Sequence, residues 1–119
     1  AERFGDRLSW VLCPRSNDYI EGARPPVETL RRAGVRIALG TDSLSSNETL
    51  SIVEELKMLR SVPLDEALRW ATLGGAEALG IDLWAGSFVP GKRPGAVLLG
   101  GIDFRTTTLR DDAFSRRIL

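Results

Sequence analysis

The segment Val35-Arg36-Ile37-Ala38-Leu39-Gly40-Thr41-Asp42 constrains the fold of this chain more than any other. Val35, Ile37, Ala38 and Leu39 form a nearly unbroken apolar run, the pattern of a parallel strand covered on both faces. Asp42 follows directly, and Ser43-Leu44-Ser45-Ser46-Asn47 continues as a polar loop. In open α/β sheets and α/β barrels the end of such a strand carries the chemistry, because the strand fixes the backbone and the loop leaves room for a ligand. Thr41-Asp42-Ser43 reads equally as a turn with a helix cap nearby.

The rest of the chain supplies the elements such a strand needs. Leu8 to Cys13 is a short apolar run stopped by Pro14, which has no ladder N–H, so a buried strand is expected there. Arg15-Ser16-Asn17-Asp18 is expected to be a polar turn, in which Ser16 and Asn17 either face a ligand or bond their own backbone. After Pro25-Pro26, the residues Val27, Leu30 and Ala33 share one face of a two-turn helix closed by Gly34. Strand, helix and strand imply a right-handed parallel βαβ unit. Beyond the loop, Ser45 and Glu48 fit a capping box, and Leu50, Val53, Leu56 and Met58 or Leu59 recur at helical spacing, which predicts a helix over 48–60.

Val62-Pro63 breaks that helix, and Leu64, Leu68 and Ala71 share a face of the next one. A second short helix over 75–79 ends at Gly80, with Gly74, Gly75 and Ala76 serving close helix packing. From Ile81 the composition shifts to turn residues through Gly95. Ala96 to Leu99 reads as a short strand ended by Gly100-Gly101, and a further strand is expected around Arg116 to Leu119. The expected division is an α/β body over 1–80 and a small β segment over 81–119.

At 119 residues and 43% hydrophobic content the chain suits one ordinary domain. Lys plus Arg and Asp plus Glu each total 16. The electrostatic footprint of a nucleic-acid or membrane-surface binder is therefore missing, and neither partner is expected. No apolar run approaches the roughly 20 residues of a membrane span, and Ala1 to Arg7 has no apolar leader core, so a cytoplasmic protein is expected. The lone Cys13 is expected to be a small buried side chain rather than a nucleophile. There is no histidine. That excludes, for this chain by itself, histidine general base catalysis, a Ser-His-Asp triad and any histidine-bearing metal site. Gly74-Gly75 and Gly100-Gly101 lack the spacing and lysine of phosphate loops.

Three stretches together carry a resemblance. They are Cys13-Pro14-Arg15-Ser16-Asn17, Leu39-Gly40-Thr41-Asp42-Ser43-Leu44-Ser45-Ser46-Asn47, and Ala67 to Gly80 followed by Gly86-Ser87-Phe88-Val89-Pro90-Gly91-Lys92. In this order and spacing the chain resembles the C-terminal part of amidohydrolase superfamily enzymes, nearest to the group of cytosine deaminases, chlorohydrolases and S-adenosylhomocysteine deaminases. The resemblance departs at Leu12, where many members have a histidine, and at Pro94-Gly95-Ala96-Val97, where many read Ala-Asp-Leu-Val.

The resemblance implies an α/β fold, namely the last two strands and following helices of a TIM (β/α)₈ barrel, with a short appended β segment. It implies a divalent metal, zinc or iron, in the parent enzyme and a metal-activated water that hydrolyses a C–N bond of a nucleobase-like, nucleoside-like or related amidine substrate. Of the family's metal ligands only the aspartate carries over, as Asp42, which would bind or lie beside the metal and accept the water's proton. Ser16 and Asn17, after the seventh strand, and Asn47, beyond the eighth, become substrate-binding candidates. A TIM barrel takes about 250 residues, so the first six strands and every histidine ligand lie outside this chain. The chain alone is then expected to be inactive, to bind no metal by itself, and to self-associate through exposed barrel edges. The alternatives are an α/β ligand-binding module and a structural interaction domain, in which Asp42 is only a turn residue.

Overall fold

The computed structural model describes residues 8–119; the leader reading of Ala1 to Arg7 falls outside them. β1 (Ser9–Leu12) is followed by α1 (Pro14–Glu21), α2 (Val27–Ala33) and β2 (Arg36–Leu39). β1 and β2 pair in parallel with Trp10 opposite Ile37 and Leu12 opposite Leu39. The Gly40 N–H donates to the Leu12 carbonyl at 2.9 Å and carries the ladder one residue past β2. Ile37, Ala38 and Leu39 are all buried, as the unbroken apolar run requires. α2 matches its expected span and ends at Gly34, whose φ of 66° is the left-handed cap that glycine takes most easily.

The expected polar turn at Arg15 to Asp18 is instead the body of α1. Pro14 sits at the first helical position, where its missing N–H has no intrahelical partner to lose and its fixed φ suits the helix. Pro14 therefore both stops β1 and starts α1.

The next helix is shorter than its periodicity suggests. α3 covers Ile52–Lys57, with Ser51 extended at its N-cap, in place of 48–60. The Ser45 and Glu48 capping box does not form. Ser45 Oγ pairs with Ser43 Oγ at 2.5 Å, and Glu48 reaches toward Arg15 at 3.7 Å. The Ser46 N–H closes a turn on the Ser43 carbonyl. Polar groups of the loop are thus engaged with one another and with α1, which is the competition that keeps serine and asparagine out of helix interiors.

α4 (Leu64–Arg69) runs through a single π turn at Trp70–Gly74 into α5 (Gly75–Leu79), so the two expected helices are one continuous rod that ends at Gly80. Gly74 lies directly on β2: a Cβ there would come within 2.3 Å of the Ile37 carbonyl oxygen. The close-packing reading holds for Gly74 and fails for Gly75, around which the space is open.

β3 (Val97–Asp103) and β4 (Thr108–Arg117) form a separate antiparallel hairpin. Gly100 and Gly101 do not end β3. The Phe114 ring lies over Gly100, where a Cβ would meet it at 2.5 Å, and Gly101 takes a φ of 82° where the register breaks. β4 also begins well before the expected strand at Arg116. Arg110 to Ala113 stand opposite the single residue Gly101, a bulge that bends the hairpin.

The core joins both ends of the chain. Leu12, Leu30, Ile37 and Leu39 pack with Val53, Leu56, Leu59, Val62, Ala67 and Trp70, and with Leu109 and Ala113 from β4. Polar ties reinforce the α3 side: Arg60 Nε donates to the Leu109 carbonyl at 3.0 Å, and Lys57 Nζ to the Asp111 carbonyl at 2.7 Å. Among the described residues no helix is long and apolar enough to cross a membrane.

Candidate functional site

Asp42 stands three residues past the end of β2, with a left-handed φ of 57°. A non-glycine residue there is uncommon, and aspartate is among the few that tolerate it. Its carboxylate is held from α1. Ser16 Oγ lies 3.0 Å from Asp42 Oδ2 and 2.9 Å from Ser46 Oγ, and both serines are buried. Among the described residues no hydrogen bond reaches Oδ1.

A second set of contacts braces the loop behind this trio. Asn47 accepts from Arg15 Nε at 3.0 Å through Oδ1, and its Nδ2 donates to the Thr41 carbonyl at 3.0 Å and toward Glu55 Oε2 at 3.4 Å. Glu55 Oε1 accepts the Arg15 backbone N–H at 3.1 Å. α1 has no side-chain cap of its own, so Glu55 does that work from α3, placing a carboxylate at the positive end of the helix. Burial pushes the Glu55 carboxyl above its ordinary range, while the Arg15 N–H and the Asn47 amide pull it back.

The structure brings Asp42, Ser16 and Asn47 into one cluster. Asn47 faces inward, with its amide engaged by the protein. Asn17 follows Ser16 on α1, half-buried; its backbone N–H bonds the Cys13 carbonyl, and among the described residues its side chain joins none of these hydrogen bonds. Cys13 is half-buried beside the cluster. Burial, then the negative charges of Asp42 and Glu55, push its thiol up, which keeps it protonated and poorly nucleophilic. A recess of about 200 Å³ beside the loop is lined by Arg15, Ser46, Asn47 and Met58 among others. A wider groove of about 660 Å³ lies away from Asp42, between α4, α5 and β3.

Three members of this cluster were not singled out from sequence: Arg15, Ser46 and Glu55. Glu55 had a readable signal. It falls on the face defined by Ile52, Leu56 and Leu59, and a carboxylate on an apolar face calls for a buried partner. Arg15 acts through its backbone N–H as well as its side chain, and nothing in its residue type announces that.

For metal binding, Asp42 offers one hard oxygen at a strand end, with Oδ2 already held and Oδ1 left over. That suits a carboxylate ligand of a divalent cation. Among the described residues no group of three His, Cys, Asp or Glu side chains could hold an ion. By itself Asp42 offers one such oxygen.

A 5-methylthioadenosine/S-adenosylhomocysteine deaminase from Pelotomaculum thermopropionicum is 38% identical over 110 residues, covering 83% of this chain and 24% of that protein. A protein of the same name from Halobacterium salinarum is 42% identical over 85 residues, covering 62% of this chain and 20% of the relative. The crystal structure of an adenosine deaminase from Xanthomonas campestris with bound zinc superposes with a TM-score of 0.66 at 35% identity, covering 75% of this chain and 23% of that one. The chain thus spans about a fifth to a quarter of the length of the relatives it matches. The amidohydrolase family model matches residues 2–118, almost the whole chain, and the chain belongs to that family.

Proposed function

We propose that this chain is the C-terminal part of a metal-dependent deaminase built on a (β/α)₈ barrel, with β1 and β2 as the last two barrel strands and Asp42 as metal ligand and proton acceptor. The observation that carries this reading is the placement of Asp42: at the end of a buried parallel strand, with Oδ2 fixed by Ser16 and Oδ1 without a hydrogen bond among the described residues. The deaminase names of the relatives and the zinc in one neighbour support it.

A divalent cation, zinc or iron, would supply Lewis acidity and bring the pKa of a water toward about 7. The chain's own residues do the rest. Asp42 would help to hold the cation, and its carboxylate takes up a proton for return to the leaving nitrogen. Ser16 keeps that carboxylate from turning. Arg15, Asn47 and Glu55 hold the loop that carries it, and Asn17 is left to shape the substrate side.

The substrate class that fits is a small amino-bearing nucleobase, nucleoside or related amidine. The segment over 81–119, which carries the β3–β4 hairpin, belongs to the small β domain of such an enzyme, and the chain alone is inactive because the remaining ligands and strands are supplied elsewhere. The test is Asp42→Asn in the full-length enzyme. A fall in kcat of about 10²–10⁴-fold is expected for loss of a positioned general base, together with loss of bound metal by elemental analysis. Wild-type turnover and metal content in that variant would overturn the reading.

A further inference from the structure

We propose that Ser16 is the positioning residue for Asp42. The inference rests on the reading of Asp42 as a metal ligand and goes one layer behind it.

Ser16 has one hydroxyl hydrogen and two oxygens within reach, Asp42 Oδ2 at 3.0 Å and Ser46 Oγ at 2.9 Å. Ser16 Oγ is placed to donate to either oxygen, and Ser46 gives its own hydrogen to the Ser43 carbonyl at 3.3 Å. Of the two acceptors the charged carboxylate forms the stronger hydrogen bond, so it holds the Ser16 hydrogen. The bond ends on one carboxylate oxygen, Oδ2.

Burial makes this bond consequential. Ser16 is 3% exposed and Ser46 5%, so solvent does not readily stand in for either hydroxyl. The last torsion of an aspartate is broad and roughly two-fold, so packing alone does not decide which oxygen points where. One hydrogen bond from a fixed helix does decide it. Ser16 belongs to α1, whose first turn is tied to α3 by Glu55, whereas Asp42 is exposed on the loop. The fixed partner orients the exposed one, as the groups behind a metal ligand commonly do.

The test uses the full-length enzyme loaded with cobalt(II) or zinc. Ser16→Ala is expected to weaken zinc affinity about 10–100-fold and to alter the cobalt d–d absorption, while Ser16→Thr, which keeps the hydroxyl, retains both wild-type values. Equal losses in the Ala and Thr variants would implicate packing and overturn the proposal. So would a Ser16→Ala protein with wild-type affinity and spectrum beside an Asp42→Asn protein that has lost them. If Asp42→Asn also leaves both unchanged, the metal-ligand reading itself has failed. Should Ser16→Ala not fold, Ser16→Cys, nearly the same size but a weak donor, decides: weaker zinc affinity with an altered spectrum supports the proposal, and wild-type values of both overturn it.

Discussion

Glu55 on α3 accepts the backbone N–H of Arg15 at the start of α1, 40 residues away in sequence, and is itself wholly buried. This contact fixes the helix that carries Ser16 relative to the loop that carries Asn47. Glu55→Ala leaves the Arg15 N–H without its acceptor and removes one of the two acceptors of the Asn47 amide. Loss of a buried acceptor of this kind costs about 1–3 kcal/mol, and the expected result is a lower denaturation midpoint for the full-length protein.

The same carboxyl has a pH signature. Its folded-state pKa is raised above the ordinary 4.5, chiefly by burial. The folded state therefore binds more protons, and the Glu55 contribution is complete below that value and declines as pH rises through the raised one. Glu55→Gln removes this slope. The stability difference between wild type and Glu55→Gln is expected to shift against the wild type as pH rises, measured by denaturant titration from acid to neutral pH.

Arg31 on α2 grips Glu66 on α4 through two hydrogen bonds of 2.8 and 2.7 Å, and also reaches Glu28. The Arg31 hydrogen bonds lower the Glu66 pKa. Stability from a lowered carboxyl is present above the ordinary 4.5 and lost as pH falls through the folded value. Glu66→Gln is expected to lower the melting midpoint slightly at neutral pH, and the difference should close in acid.

Gly74 and Gly75 are neighbours with opposite expectations. Alanine in a helix interior gains up to about 1 kcal/mol over glycine where space allows, and at Gly75 it does. At Gly74 the new Cβ would lie 2.3 Å from the Ile37 carbonyl oxygen, which is backbone and cannot swing away. Gly75→Ala is expected to be neutral or stabilising. Gly74→Ala is expected to destabilise by about 1–3 kcal/mol, as overpacking does, and thermal denaturation of the pair checks both.

The chain prepared by itself should associate. β1 and β2 form a two-stranded sheet, so each keeps one unpaired edge, and Trp10 and Val11 on β1 are exposed. Unpaired edges recruit further strands. Gel filtration with light scattering is expected to give species above the monomer mass, and a clean monomer with cooperative unfolding would contradict this.

Much of the architecture was legible because it rests on local rules. The covered strand at Val35 to Leu39, the helix between Pro26 and Gly34, and the stop at Gly80 each follow from apolar runs and glycine caps. What escaped depended on distant partners. α1 looked like a turn because its cap, Glu55, lies on another helix. Positions 48–51 looked like the start of a helix, whereas the loop before them bonds α1 and itself in place of forming the Ser45 cap. Gly100 and Gly101 looked like a strand end because the Phe114 ring that covers Gly100 comes from the opposite strand. In the site, Asp42 was visible from its place after an apolar run, whereas its engagement by Ser16 needed the parallel pairing that sets α1 beside the loop.

The φ of 57° at Asp42 has an evolutionary corollary. A left-handed backbone is a position glycine fills without strain, and any other residue there carries a conformational penalty of about 1 kcal/mol or more. A substitution survey scored by cellular abundance would then rank glycine among the tolerated residues at position 42, while the same survey scored by turnover would reject it. Disagreement between those two rankings marks a residue kept for chemistry against the preference of its own backbone.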